Sequence, residues 1–144
     1  MKDGLAYLTI PAFEETGSVK HCFTTRIGGV SRGIYNSLNT SDDKEDPIEN
    51  VHRNLELVCG AIGINYRKLV FSDQTHEDNI RIVSIADLGK GISVPNDIKN
   101  TDGLMTNIPG IPLITFLFFQ LCKQYSYLQI QIRTQISGRP PKFG

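Results

Sequence analysis

Residues 5–10 and 19–25 read as β-strands, with the polar stretch 14–18 as a turn between them, so the chain is predicted to open on a β-hairpin. Further on, apolar Ile48, Val51, Leu55, Val58 and Ile62 recur at helical spacing. Asp46 is the expected N-cap of that helix, Pro47 lies in its first turn, and Gly60 and Gly63 end it. One face of the helix should therefore pack on a sheet. Residues 68–72 and 79–85 read as strands flanking a corner at Gln74-Thr75-His76, which places His76 at a strand end. A loop over 86–100 follows, rich in glycine and asparagine, with 92–94 as a short strand inside it; loops of that length border binding sites. The apolar run 111–121 is too short to span a bilayer and reads as buried strand. Leu128, Ile130, Ile132 and Ile136 alternate with polar residues, as in a half-buried strand.

Composition narrows the partners. At 144 residues the chain is one domain's worth and long enough to bury a core. Fifteen basic and fifteen acidic residues cancel, so no global field draws it to nucleic acid or to a membrane, and a small partner is expected. Three widely spaced cysteines, 22, 59 and 122, form no disulfide framework. With no signal peptide visible, the expected location is the cytoplasm. Charge is unevenly spread, because every acidic residue lies at or before Asp102 and the 42 residues after it hold none. We read this as a reading frame disrupted near codon 117 or an unrelated ending; the other reading is a divergent but authentic tail.

The chemistry is concentrated in 21–39, where a β-type run enters a glycine-rich turn carrying Arg26. The guanidinium of Arg26, the hydroxyls of Thr24, Thr25, Ser31 and Ser37, and backbone amides freed by Gly28 and Gly29 suit a phosphate or a polyol. A plain strand-turn-strand without ligand fits the same letters. His21, Cys22, His52 and Cys59 read as packing or surface residues. Asp102 is read either as a turn cap or as a substrate-positioning group. No nucleophile elbow, Walker loop, zincin motif or Cys-x-x-Cys occurs, and no catalytic residue is assigned.

The string His21-Cys22-Phe23-Thr24-Thr25-Arg26-Ile27-Gly28-Gly29-Val30-Ser31 resembles the opening motif of the YfiH family, purine nucleoside phosphorylases earlier labelled polyphenol oxidases or laccase-like proteins. Ser72-Asp73-Gln74-Thr75-His76 is similar to the family's Gln-x-His segment, and Thr101-Asp102-Gly103-Leu104-Met105-Thr106 with Pro109-Gly110 to its third block. The resemblance covers roughly 5–116 and implies an α/β fold, a layered sandwich with mixed β-sheets flanked by helices. Of that fold the chain holds the N-terminal part over 1–116, followed by a non-matching tail over 117–144.

The resemblance further implies phosphorolysis of adenosine, inosine and guanosine to free base and ribose-1-phosphate, and adenosine deamination at a zinc site. It makes purine nucleosides and phosphate the partners, with Arg26, Gly28, Gly29 and Ser37 as substrate contacts and His76 as a zinc ligand. Copper is the alternative metal. The family continues into an Ala-Asp-Cys strand and a His-Ala-Gly-Trp-Arg-Gly motif, which supply the other two ligands. Here Gln120 takes the place of that cysteine, with Cys122 two residues later, and no tryptophan and no histidine after His76 occurs. Three outcomes stay open: a purine nucleoside phosphorylase, an inactive truncated remnant, or a small phosphate- or nucleoside-binding module. A copper-dependent polyphenol oxidase is a further alternative.

Overall fold

The computed structural model describes residues 4–41, 45–118 and 126–133. The hairpin forms, but not as a plain turn. β1 (Tyr7–Leu8) and β2 (Val19–Thr24) pair antiparallel, Tyr7 opposite Thr24, and the connection between them contains a five-residue helix, α1 (Pro11–Glu15). Pro11 starts that helix because its fixed φ suits a first helical turn, and so it ends the expected strand early.

α2 (Ile48–Ala61) matches the predicted stripe: Val51, Leu55 and Val58 are buried, together with Asn54 and Cys59. Pro47, not Asp46, occupies the N-cap position, and no side chain caps the helix. The expected Asp46 cap is thus corrected, since its carboxylate is engaged in a network with the preceding loop, described below. Ile62 closes the helix and Gly63 follows at φ +72°, the left-handed conformation that suits a residue without Cβ.

Of the expected strand at 68–72, one bridge survives: the Val70 amide donates to the Pro112 carbonyl at 2.9 Å and the Val70 carbonyl accepts from Ile114 at 3.2 Å. β3 (Ile80–Ile82) is shorter than the predicted 79–85, because Ser84 caps a 3-10 turn at Ile85–Asp87. Residues 92–94 form no strand, only a bridge from Val94 to Lys90. β4 (Gly103–Met105) pairs parallel with β3. β5 (Pro112–Phe118) fills the apolar run, and β6 (Ser126–Arg133) occupies most of the alternating stretch, whose Ile136 lies outside the described residues.

Two sheets result, one antiparallel in the order β1-β2-β6-β5 and one of two parallel strands, β3-β4. Leu5, Cys22, Leu38, Val51, Leu55, Val58, Cys59, Leu69 and Ile114 form the main core between α2 and the larger sheet. Val70, Val83, Ile98 and Ile111 form a second cluster, with Leu104 of β4 packed on it. The mixed α/β architecture agrees with the expected fold class.

A compact ion network anchors the 84–97 segment. Asp87 is buried, accepts from the Ser84 amide at 2.8 Å, and pairs with Lys90 at 2.8 Å and Arg81 at 3.2 Å; Lys90 also reaches Asp97 at 2.7 Å. The Lys90 hydrogen bond, then the Ser84 amide, hold the Asp87 carboxyl down at about 2. A carboxyl depressed in the folded state stabilises above its ordinary pKa, and that contribution is lost as pH falls through the depressed value. By linkage it is worth about 2 kcal/mol at neutral pH. Asp87→Asn is expected to lower the urea midpoint at neutral pH and to flatten the stability loss between about pH 5 and pH 2. An acid limb identical to the wild type would show that the network contributes nothing.

Candidate functional site

The glycine turn is closed on itself. Ser37 Oγ accepts from the Gly28 amide at 3.1 Å and from the Gly29 amide at 2.8 Å. The two amides expected to be free for an anion are therefore occupied by the loop's own serine. Thr25 Oγ1 donates to the Ala6 carbonyl at 2.7 Å, and Ser31 Oγ donates to Asp46 at 2.7 Å. Arg26 Nη2 donates to the Ile34 carbonyl at 3.1 Å, which curls the loop around its guanidinium. Gly28 sits at φ +100°, and a Cβ there would meet Leu5 Cα at 2.4 Å, so glycine is required both by conformation and by space.

α2 fastens this loop from beneath. Fully buried Asn54 accepts from the Val30 amide at 2.8 Å and donates to Ser31 Oγ at 2.8 Å and the Asn39 carbonyl at 2.6 Å. Asp46 accepts from Ser31, from Asn39 Nδ2 at 2.8 Å and from Asn50 Nδ2 at 3.1 Å. Burial works to raise the Asp46 pKa, but the hydrogen bonds from Asn39, Ser31 and Asn50 outweigh it and keep the carboxyl below its ordinary value. The segment that leads into α2 thus ends in a tertiary clamp at Asp46; residues 42–44 lie outside the described ones.

The second block folds by mimicking a strand. Gln74 accepts from the Phe116 amide at 2.9 Å through Oε1 and donates to the Phe116 carbonyl at 3.3 Å through Nε2. Two residues on, His76 is exposed and adopts φ +63°. Asp102 sustains that corner by accepting from the His76 amide at 2.8 Å and the Glu77 amide at 2.9 Å. The Glu77 amide is foremost in holding the Asp102 carboxyl below its ordinary pKa. Asp102 therefore acts as the turn cap of the two expected roles.

Around Gln74 a cleft of about 350 Å³, open to solvent, lies between α2 and the segments 71–74 and 91–99. Phe71 and Phe116 line it with ring centroids 6.0 Å apart at 42°, and Thr40, His52, Gln74 and Lys99 add polar groups. Lys99 is paired with Asp73 at 3.5 Å. Arg26, Gly28, Gly29, Ser37 and His76 are not among the residues lining it. Sequence reasoning missed Phe71, Phe116 and Lys99, which carry no motif of their own and meet only in the fold. It gave His52 a packing or surface role, which agrees with its half-buried place beside Tyr66, 6.4 Å between ring centroids, and His52 also lines the cavity.

Among the described residues no group of three or more His, Cys, Asp or Glu side chains could hold an ion. Cys22 and Cys59 are buried in the core, and burial followed by the neighbouring Cys22 thiol pushes Cys59 up to about 12, far from the thiolate a ligand requires. Cys122 lies outside the described residues. His21 is buried too, with Nε2 accepting from the Ile10 amide at 2.6 Å and Phe13 edge-on at 5.1 Å, which fits the packing role expected of it.

Comparison with known proteins places these blocks. A family model described as multi-copper polyphenol oxidoreductase laccase matches residues 20–117. The purine nucleoside phosphorylase YlmD of Bacillus subtilis is 37% identical over 101 residues, 69% of this chain and 34% of that protein. A purine nucleoside phosphorylase of Bacteroides thetaiotaomicron is 33% identical over 94 residues, 65% of this chain and 35% of the relative. Among solved structures, Bacillus licheniformis YfiH superposes with a TM-score of 0.70 at 28% identity, covering 93% of this chain and 51% of that one. Geobacillus stearothermophilus YlmD superposes with a TM-score of 0.69 at 21% identity and shares the fold over 51% of its length. The chain thus spans about a third of these curated relatives and half of these solved structures.

Proposed function

The chain belongs to the multi-copper polyphenol oxidoreductase laccase family, the family of YfiH, and on that premise we propose that it is the nucleoside-binding part of a purine nucleoside phosphorylase. The observation that carries the reading is the cavity beside Gln74, whose lining joins two phenylalanine rings to the polar Thr40, His52, Gln74 and Lys99, a combination that suits a purine and its ribose. Purine nucleoside phosphorylase is the printed name of the two curated relatives above, and it supports the substrate class. Phosphate is negative, and the cations offered to it are Lys99 on the cavity wall and Arg26 on the clamped loop. Gly28, Gly29 and Ser37 shape that loop, the two glycine amides donating to Ser37 Oγ.

Adenosine deamination at zinc belongs to the same reading, and zinc when bound would lower the pKa of a water. His76 is the one ligand that the motif assigns within the described residues. That set does not fit a three-ligand centre, and no step is derived through the metal. Copper-dependent phenol oxidation, the activity in the family's description, meets the same shortage of ligands among the described residues.

Inosine is expected to raise the thermal midpoint of the purified chain, with phosphate adding to the shift; saturation at a hundred times Kd corresponds to about 2.7 kcal/mol. Hypoxanthine release, followed by chromatography, distinguishes turnover from the binding-module reading, which predicts the shift without free base. No shift with inosine would remove both.

A further inference from the structure

The parallel pair β3-β4 carries its apolar side chains on the wrong side for a free-standing surface. In the register Ile80 lies opposite Gly103 and Ile82 opposite Met105, so these four positions share one face, and a Cβ on Gly103 would touch Ile80 at 3.1 Å. That face is exposed: Ile80 69%, Ile82 70% and Met105 53%, with Ile85 at 65% three residues beyond Ile82. The opposite face is the one already in use, because Leu104 packs on the second core cluster and Arg81 pairs with Asp87.

Parallel strands occur almost entirely in sheets covered on both faces, and a two-stranded sheet has little stability of its own. An uncovered row of isoleucines on such a pair marks a contact surface. The solved structures that share this fold are about twice as long as the stretch matched here. We propose that the outer face of β3-β4 is the seam on which the second half of this fold docks, as an apolar layer over Ile80, Ile82 and Met105. The inference rests on the fold and not on the enzymatic reading, so it stands or falls separately from it.

The test reads exposure at one atom. Ile82→Cys, with Cys122→Ser in the two preparations that retain that residue, is labelled with a maleimide in the chain alone, in a fusion of 1–116 to the part of Bacillus subtilis YlmD that follows its aligned segment, and in a mixture of the chain with that part as a separate polypeptide. Ile34→Cys, at a position 76% exposed, is the control. Fast labelling of Ile82→Cys in the chain alone, slowed at least tenfold in the fusion or the mixture while the control stays fast, is the expected result. Equal rates at Ile82→Cys in all three preparations overturn the proposal. So does protection in the chain alone that disappears on dilution, since that outcome assigns the face to a second copy of this chain.

Discussion

Gly29→Ala is expected to cost 3 kcal/mol or more, the range reached when a substitution drives atoms into well-packed backbone. The new methyl would sit 2.2 Å from the Ser37 carbonyl oxygen and 2.4 Å from Leu38 Cα, and neither can swing aside as a side chain would. Ser37 O accepts from the Ser31 amide at 2.9 Å, and the Leu38 amide donates to the Arg26 carbonyl at 2.9 Å, so moving either opens the loop at both ends. Leu38 is buried in the main core, which passes the displacement on to α2. Gly33→Ala supplies the comparison: nothing lies within 4 Å of its Cβ, and its φ of +66° leaves only left-handed strain of about 1 kcal/mol. Urea unfolding of the two variants side by side measures the difference. Equal losses would mean that the close approach at Gly29 does not hold the loop.

What could be read from the letters and what could not divides along a physical line. α2 was legible because Val51, Leu55 and Val58 repeat at the helical period, and burial follows that repeat directly. α1 was missed because five residues are too few to show a period, and the signal that existed was Pro11 as a helix start. The three motif blocks were found, but the partners their polar groups take within the fold were not. Ser37 closes on Gly29 across eight residues, Asn54 on Val30 across 24, and Gln74 on Phe116 across 42. Such polar partners have no period, so spacing alone could not tell a serine that binds a ligand from one that caps its own loop. The cavity is less legible still, since Phe71, Lys99 and Phe116 come from segments that become neighbours through the core. Even the outward isoleucines of β3 read as ordinary strand residues, because alternation reveals two faces but not which one is covered.

Asn54 offers the sharpest test of the clamp between α2 and the Arg26 loop, and it separates hydrogen bonding from volume. Asn54→Leu keeps nearly the same shape but strands the Val30 amide and the Asn39 carbonyl, both of which the fully buried Asn54 side chain bonds. Each unsatisfied buried group costs about 1–3 kcal/mol, so a loss of about 3–5 kcal/mol is expected. Asn54→Asp retains an acceptor for Val30 but replaces the amide donor with a carboxylate that faces the Asn39 carbonyl and shares Ser31 with the buried Asp46. Burial and the nearby negative charge both favour the protonated form of the new carboxyl, which restores a donor. Its pKa is therefore raised on folding, and the variant should be most impaired at neutral pH and recover relative to the wild type as pH falls through that raised value. Denaturant midpoints for both variants at about pH 7 and pH 5 measure this. A deficit in Asn54→Asp that is unchanged on acidification would refute the donor role of Asn54, whereas recovery confined to Asn54→Asp ties the Arg26 loop to α2 through that one amide.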